Sequence, residues 1–365
     1  MISSRPDLAA VLAFGMAALF TALLVPMVRR AGLRWGLIDQ PDPRKQHTTP
    51  MVRLGGVGIV TGFVLALALI WLLGGFVELA PQRDSQIWTT IAGALCFFVI
   101  GLADDLFALP PLPRLAGQVL VAMAVWSQGV QIGAIDLPFH LLGSPAGAIE
   151  LPEGLSLLAT VIWLVGITNA INWLDGLDGL AAGVSGIAAV GLLSVSYSLN
   201  QPAPGLLAAA LAGSCLGFLR HNFNPARIFM GDGGSYFLGF ALASISIVGP
   251  AKGLTSVSLL LPLLILSLPL ADMSAVIMGR VSEGHSPFYP DRRHLHHRLL
   301  RAGFSHRRTV VLIYAFTQWL AALALVLANA ELRFLWLALA TAVLIATVIA
   351  ARRSLNREQL AGDDG

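Results

Sequence analysis

Long apolar runs separated by short polar loops make up almost all of this chain. A membrane-spanning helix needs roughly 20 predominantly apolar residues, and eleven runs approach or reach that length. They predict spans at residues 8–28, 56–77, 87–103, 115–130, 155–171, 180–199, 205–219, 236–250, 256–279, 309–328 and 332–351. The pattern predicts an all-α polytopic membrane protein with about 11 transmembrane helices. Residues 1–353 form one integral membrane domain in this interpretation, and residues 354–365 form a polar cytoplasmic tail.

Composition supports the membrane class and narrows the partners. Of the 365 residues, 56% are hydrophobic and 12% are charged, whereas a soluble domain carries about 25% charged residues. A pI near 9.2 would normally raise nucleic acid as a partner. Here the basic residues lie in short loops between apolar runs, which fits membrane orientation and predicts no nucleic-acid partner. The two cysteines lie inside apolar runs and form neither a disulfide framework nor a zinc pattern.

The basic loops also predict the orientation of the chain. With the N-terminus outside, 19 of the 23 Lys and Arg residues fall on the cytoplasmic side and four fall outside. Cytoplasmic loops carry such an excess, so we expect an outside N-terminus and a cytoplasmic C-terminus. The same orientation places the acids discussed below at the cytoplasmic ends of spans. The outer segment 131–154 is rich in Gly and Pro and predicts a small hairpin without chemistry of its own.

Five aspartates at the ends of apolar runs indicate a site for a cation and phosphate. Asp232 is a lone acid among glycines in FNPARIFMGDGGS, and an acid so placed in an apolar chain indicates function. Asp104 and Asp105 are adjacent, so both meet one ligand only if the helix ends there. Asp175 and Asp178 lie three residues apart, on the same side of one helical turn. Magnesium binds one or two carboxylates and keeps phosphates or waters as its other ligands.

Amides, one lysine and one phenylalanine accompany these acids. Asn169 and Asn172 supply donors and acceptors in NAINWLDGLDGLAAG, and Asn224 does so before the Asp232 motif. Lys45 lies in the Pro-rich loop 36–56, where a compact ammonium suits a diphosphate and an orientation-setting basic loop is the alternative. Phe229 is either an anchor at the membrane interface or a platform for a flat base.

The last large cytoplasmic loop contains a histidine-rich segment. Its candidate substrate-binding residues are His294, His296, His297 and Arg298. Zinc is one reading of a histidine trio, but neighbouring arginines repel a cation, and donors to phosphate or sugar fit better. A purely interfacial helix is the alternative. Asp272, inside the ninth predicted span, has an open role, with Arg280 as a candidate structural partner.

Taken in order, these loops resemble the polyprenyl-phosphate N-acetylhexosamine-1-phosphate transferase superfamily, glycosyltransferase family 4. The matching pieces are PDPRKQHTTPMVRLGG, GLADD, NAINWLDGLDGLAAG, FNPARIFMGDGGS and HLHHRLLRAG. They run from about Asp39 to Gly303 and therefore span most of the chain. The histidine piece resembles the branch that starts O-antigen, enterobacterial common antigen and teichoic-acid linkage units, and not the phospho-muramoyl-pentapeptide branch.

The resemblance implies transfer of a sugar 1-phosphate from a UDP-sugar to undecaprenyl phosphate, with release of UMP, in a bacterial inner membrane. It implies UDP-N-acetylglucosamine as donor and Mg²⁺, with Mn²⁺ as an alternative, held by Asp232. It assigns Asp104 and Asp105 to the base or to metal and phosphate positioning. It also assigns Asp175 and Asp178 to nucleotide and metal binding, and Phe229 to uracil contact. Which sugar is used, and whether a homodimer forms, are left open.

A proton- or ion-coupled transporter is the rival from another class, because intramembrane acids and broken helices occur there too. That reading predicts acids near mid-membrane and an internal repeat. In this chain the acids gather at span ends on one side, and no repeat stands out. The transferase is therefore the favoured reading.

Overall fold

The structure is a computed structural model that describes residues 5–39, 50–76, 81–135, 149–248, 260–286, 289 and 293–363. Lys45 lies outside the described residues, so its predicted role stays a prediction. Within these ranges the chain forms helices α1 (Pro6–Arg34), α2 (Gly55–Leu72), α3 (Pro81–Phe107), α4 (Pro111–Ser127), α5 (Glu153–Leu174), α6 (Leu180–Ser198), α7 (Pro202–Asn222), α8 (Gly231–Val248), α9 (Leu260–Ile265), α10 (Ser267–Ser282), α11 (Leu295–Arg301), α12 (His306–Leu327) and α13 (Arg333–Asp363).

Two short strand pairs accompany the helices in the described ranges. Strands β1 (Ile38–Asp39) and β2 (Met51–Val52) pair antiparallel on the side where α2 begins. Strands β3 (Ala134–Ile135) and β4 (Ile149–Glu150) pair antiparallel within the segment predicted to form an outer hairpin. At the C-terminus, α13 continues to Asp363 and so includes most of the predicted polar tail.

The all-α polytopic class is confirmed. Among the described residues, eight helices are long and apolar enough to cross a membrane: α1, α2, residues 85–107 of α3, α5, α6, α7, α12 and residues 333–354 of α13. The other three predicted spans correspond to α4, to α8 and to α9 together with α10. The chain is therefore a multi-pass membrane protein, and the sidedness of its termini remains a prediction.

The described part of the ninth predicted span, residues 256–279, consists of two helices with a break between them. Helix α9 ends at Ile265 and α10 begins at Ser267, with a turn at Leu266 between them. Pro269 lacks an amide hydrogen, and its ring would clash with the carbonyl group of Ile265 in a continuous helix. The proline therefore breaks the segment into two helices.

Helix α8 lies at the centre of the fold. It packs against α2, α3, α5, α6 and α7, and every residue from Gly233 to Val248 is buried. Its sequence alternates small residues with large apolar ones, so neighbouring helices can surround it on all sides. The first turn of this central helix carries Asp232, and the packing of α8 therefore decides where that acid lies.

Candidate active site

The start of α8 is held between α2 and α3 by close backbone approach. A Cβ atom on Gly101 of α3 would lie 2.4 Å from the carbonyl oxygen of Asp232, and one on Gly56 of α2 would lie 2.4 Å from the amide nitrogen of Gly234. Only glycine allows such approaches. The last turn of α3, with Asp104 and Asp105, is thereby brought beside Asp232.

Asp105 caps the N-terminus of α8. Its Oδ1 accepts a hydrogen bond from the amide of Asp232, and its Oδ2 accepts one from the amide of Gly233, both at 2.9 Å. Its side chain is 3% exposed. An N-terminal helix turn has unpaired amides and a partial positive charge, and a carboxylate satisfies both. Asp105 therefore holds the backbone of Asp232 in place.

Asp104 has different partners from Asp105, because adjacent residues on a helix do not share a face. Its Oδ1 accepts from the amide of Leu109 at 2.8 Å, and its Oδ2 pairs closely with the guanidinium of Arg114. The same guanidinium nitrogen of Arg114 lies 3.6 Å from Oδ2 of Asp232. Asp104 thus lies beside Asp232, connected to it through an arginine of α4 and by a side-chain hydrogen bond between the two carboxyl groups.

A second arginine approaches Asp232 from the loop before α2. The Arg53 guanidinium lies 3.9 Å from Oδ1 of Asp232 and 3.8 Å from Oδ1 of Asp105. Burial is the largest single influence on the pKa of Arg53 and lowers it. The charges of Asp232 and then of Asp105 act in the opposite direction, and the pKa is raised overall. Sequence reasoning counted Arg53 and Arg114 only as orientation signals. Their positions near the motifs could have indicated a role in the site, since Arg53 lies in the PMVRLGG piece and Arg114 lies ten residues after Asp104.

The two predicted asparagines of α5 have different partners. Asn172 donates to Oδ1 of Asp232 at 2.8 Å and to the hydroxyl of Ser235 at 2.9 Å. Asn169 donates to Oε1 of Gln118 on α4 at 2.7 Å and to the carbonyl oxygen of Val165. Asn172 therefore belongs to the Asp232 cluster, whereas Asn169 ties α5 to α4.

Asp175 ends α5 beside this cluster. Its side chain is partly exposed, but it lies deep among protein atoms, and burial raises its pKa to about 7. Arg53 lowers that pKa, while the charges of Asp105 and Asp178 raise it further. The structure therefore brings Asp175 into the same electrostatic environment as Asp105 and Arg53.

Asp178 supports the loop that leads to α8. Its Oδ2 accepts from the Asn224 side-chain amide at 2.9 Å and from the Ala226 backbone amide at 3.0 Å. Phe229 in this loop is half-buried, and its backbone bonds to Val52 and Gly55. These bonds position the loop, and the predicted contact of Phe229 with a base stays a prediction.

The histidine-rich segment forms the N-cap of α11 and its first turns. His296 is buried, and a Cβ on Gly176, next to Asp175, would lie 2.4 Å from its Nε2 atom. Burial, followed by the neighbouring His297 and His294, lowers the pKa of His296 to about 3, so this ring is neutral. His297 is half-buried and Arg298 is exposed on the same helix. The segment therefore packs directly on the Asp175–Asp178 loop.

The open role of Asp272 is resolved in favour of His294. Asp272 Oδ2 lies 2.9 Å from His294 Nδ1, and Asp272 Oδ1 accepts from the amide of Leu295 at 2.7 Å. The candidate partner Arg280 instead stacks its guanidinium 4.9 Å from the ring centre of Trp173. Sequence reasoning missed this arrangement because 22 residues separate Asp272 from His294.

The residues around Asp232 fit a magnesium ion whose coordination is completed by the phosphates of the substrate. Among the described residues there is no group of three or more His, Cys, Asp or Glu side chains that could hold a metal ion by themselves. Asp232 is 23% exposed, so it can present an oxygen to a cation. Mg²⁺ is commonly held by one or two carboxylates plus phosphates and waters, and Asp232 beside a bound diphosphate meets that requirement.

A separate apolar cavity lies among the helices. It has a volume of about 490 Å³ and is lined by residues of α1, α6, α7, α12 and α13, among them Gly183, Tyr314 and Trp336. It includes none of the site residues predicted from sequence. The chemistry-bearing groups therefore gather at the helix ends and not in this cavity.

The geometry defines a polytopic membrane protein with an acidic, arginine-flanked site where several helices end. Residues 87–250 match the family model described as glycosyl transferase family 4. The chain is 35% identical over 332 residues to a probable undecaprenyl-phosphate N-acetylglucosaminyl 1-phosphate transferase of Bacillus subtilis (strain 168), covering 90% of this chain and 87% of the relative.

Two further relatives are similar over most of their length. A decaprenyl-phosphate N-acetylglucosaminephosphotransferase of Mycobacterium tuberculosis is 37% identical over 82% of this chain and 77% of its own. An undecaprenyl-phosphate alpha-N-acetylglucosaminyl 1-phosphate transferase of Salmonella typhi is 28% identical over 81% of this chain and 77% of its own. The chain belongs to glycosyl transferase family 4, within its polyprenyl-phosphate hexosamine-1-phosphate transferases, and is a phosphoglycosyltransferase.

Proposed function

We propose that this protein transfers N-acetylglucosamine 1-phosphate from UDP-N-acetylglucosamine to undecaprenyl phosphate, releasing UMP and starting a lipid-linked cell-envelope glycan. The observation that carries the proposal is the arrangement around Asp232. This acid is fixed by Asn172 and by the cap from Asp105, and it is flanked by Arg53 and Arg114. The names of the relatives support the choice of sugar and of lipid class.

The reaction exchanges one diphosphate bond for another. An oxygen of the lipid phosphate forms a bond to the sugar-bound phosphorus of the donor, and the bond from that phosphorus to the UMP oxygen breaks. The bonds made and broken are similar, so no further energy source is required. The protein must bring two anionic phosphates together, and Arg53 and Arg114 supply positive charge where that repulsion arises.

A divalent cation is the proposed cofactor. Asp232 would hold Mg²⁺, or Mn²⁺ in its place, and the ion would neutralise phosphate charge and stabilise the charge that develops on the leaving UMP. Asn172 and Asp105 keep the Asp232 carboxylate and its backbone in place for this task. The site therefore combines one fixed carboxylate with the guanidinium groups of Arg53 and Arg114.

Direct in-line attack is the proposed route. A phosphomonoester has a second pKa of about 6, so the acceptor is largely ionised at neutral pH and needs little help from a base. Both oxygens of Asp104 and both of Asp105 already accept hydrogen bonds or ion pairs, which suits positioning better than nucleophilic attack. A two-step route through an aspartyl phosphate is the rival. Single-turnover incubation of labelled donor without acceptor decides, because UMP release with phosphorylated enzyme would sink direct attack.

The whole proposal is tested by UMP release from purified protein. We expect release that requires UDP-N-acetylglucosamine, undecaprenyl phosphate and Mg²⁺ together, with each omitted in turn as a control. Release from another UDP-N-acetyl sugar alone would retain the reaction and replace the donor. Silence with a panel of such donors would overturn the proposal.

The proposed location is the bacterial inner membrane, with the N-terminus outside and the C-terminus in the cytoplasm. The excess of Lys and Arg in one set of loops supports this orientation. Reporter fusions at each terminus test it, and a cytoplasmic signal from the N-terminus would contradict it.

A further inference from the structure

The carboxylate of Asp272 joins the N-terminus of α11 to the ring of His294. One oxygen accepts from the Leu295 amide at 2.7 Å, and the other lies 2.9 Å from Nδ1 of His294. The side chains of Asp272 and His294 are 7% and 10% exposed. An ionised carboxylate only accepts hydrogen bonds, so Nδ1 of His294 carries a proton.

Aromatic contacts fix the remaining freedom of the His294 ring. Trp173 meets it edge to face with ring centres 5.9 Å apart, and His296 stacks nearly parallel to it at 5.6 Å. Trp173 is in turn covered by the Arg280 guanidinium at 4.9 Å. Because Trp173 lies two residues before Asp175, the ring is tied to the loop that borders the Asp232 cluster.

A histidine held in this way has one nitrogen left for a substrate. The hydrogen bond at Nδ1 sets both the position of the proton and the orientation of the ring. Nε2 is then the free nitrogen, and it donates to a phosphate oxygen when the ring carries both protons. The buried carboxylate of Asp272 balances the charge of that doubly protonated ring.

We propose that Asp272 is a positioning residue for phosphoryl transfer, acting through His294 by holding its Nε2 toward a phosphate oxygen of a bound substrate. This inference rests on the proposed function, because it needs a phosphate-bearing substrate beside α11. His297 and Arg298 follow on the same helix and add donors of the same kind. The competing explanation is that Asp272 only caps α11.

An Asp272→Asn variant separates these explanations. The side-chain oxygen of asparagine also accepts hydrogen bonds, so it can still accept from Leu295. Its amide hydrogens face Nδ1, however, and place the ring proton on Nε2. Nε2 can then still donate, but the carboxylate charge that balances a doubly protonated ring is gone, and with it the positive charge offered to the phosphate. We expect kcat to fall by about 10–100-fold with little change in KM for the donor and a melting temperature close to wild type.

A double-mutant comparison tests whether the effect passes through His294. We expect Asp272→Asn combined with His294→Ala to lose no more activity than His294→Ala alone, because residues acting as a unit are not additive. Multiplied losses would overturn the proposal, as would full activity of Asp272→Asn. Glu153→Gln removes one exposed carboxylate elsewhere and serves as the matched control.

A spectroscopic readout keeps this inference separate from the proposed function. Nitrogen-15 spectra of histidine-labelled protein, with His294→Gln to assign the signal, should show a proton on Nδ1 in wild type and none there in Asp272→Asn. An unchanged His294 signal overturns the pairing. A wild-type protein that shows the pairing but releases no UMP from any UDP-N-acetyl sugar overturns both the proposed function and the role of Asp272 in it.

Discussion

Helices α8 and α11 begin in similar ways but present different chemistry. Each receives a carboxylate from another helix at its first amides: Asp105 of α3 for α8, and Asp272 of α10 for α11. Asp105 uses both oxygens on backbone amides, whereas Asp272 uses one on an amide and one on the ring of His294. The first arrangement therefore fixes a backbone, and the second fixes a backbone and a side chain together.

The difference explains why acids that look alike in sequence have unlike roles. The side chain of Asp232 is 23% exposed, whereas that of Asp105 is 3% exposed. A carboxylate whose lone pairs are filled by amides stabilises structure, and one that is partly accessible can bind a cation. Each prediction below tests this distinction between side chains that hold the structure in place and side chains that are accessible to a ligand.

The largest effect is expected for Asp232→Asn. An amide oxygen can still accept from Asn172, but the charge that would hold a cation is lost. We expect UMP release to fall about a thousandfold, near the upper range for loss of one charge-stabilising group, with thermal unfolding within a few degrees of wild type. Glu153→Gln is the control for loss of an exposed carboxylate. Retention of more than a tenth of the activity would remove Asp232 from the centre of the site.

The next largest effect is expected for Asp105→Asn. The asparagine can accept with one oxygen only, and its amide group opposes the second backbone donor. We expect the free energy of unfolding to fall by about 1–3 kcal/mol and UMP release to fall about a hundredfold. Kinetics and denaturation of the same preparation check both. Lost activity at full stability would instead indicate a direct chemical role for Asp105.

A smaller effect is expected for Gly176→Ala on the histidine side. The added methyl group would overlap Nε2 of the buried His296, which stands 2.4 Å from it. We expect α11 to shift and UMP release to fall about tenfold or somewhat more, since small misplacements near a site are costly. Gly15→Ala is the matched control, because nothing lies within 4 Å of its added atom. Equal activities of the two variants would contradict the packing of α11 on this loop.

The smallest effect is expected for Asp175→Asn, measured as stability without Mg²⁺. The pKa of Asp175 is raised by burial from 3.8 to about 7, so wild type loses stability as pH rises from about 4 to 7 while the unfolded chain ionises first. Asparagine does not ionise. We therefore expect its melting temperature to exceed that of wild type by a few degrees at pH 8 and by less at pH 5.

Saturating Mg²⁺ should reduce the gain at pH 8, because a nearby cation favours the ionised carboxylate. A constant difference between the two proteins at both pH values would show that Asp175 is not desolvated.

Local patterns were enough to predict the class of fold and to single out several of the residues that the structure brings together around Asp232. Apolar runs predicted the spans, and Asp232, Asn172 and Asp175 stood out because polar groups at the ends of such runs are costly unless they are used. The break at Leu266 was missed because Pro269 lies near the start of α10, where hydropathy alone does not register it. Arg53 and Arg114 were missed as site residues because orientation already explained them.

The sequence by itself determined the membrane class and the candidate polar groups, because hydropathy and residue chemistry are properties of short segments. Only the tertiary structure decided the pairings: Asp105 with an amide 127 residues away, Asn172 with an acid 60 residues away, and Asp272 with His294. Such pairings depend on how helices approach one another, and that approach is set by packing around α8. That packing also decides whether the oxygens of an acid are accessible to a ligand or accept hydrogen bonds from neighbouring residues.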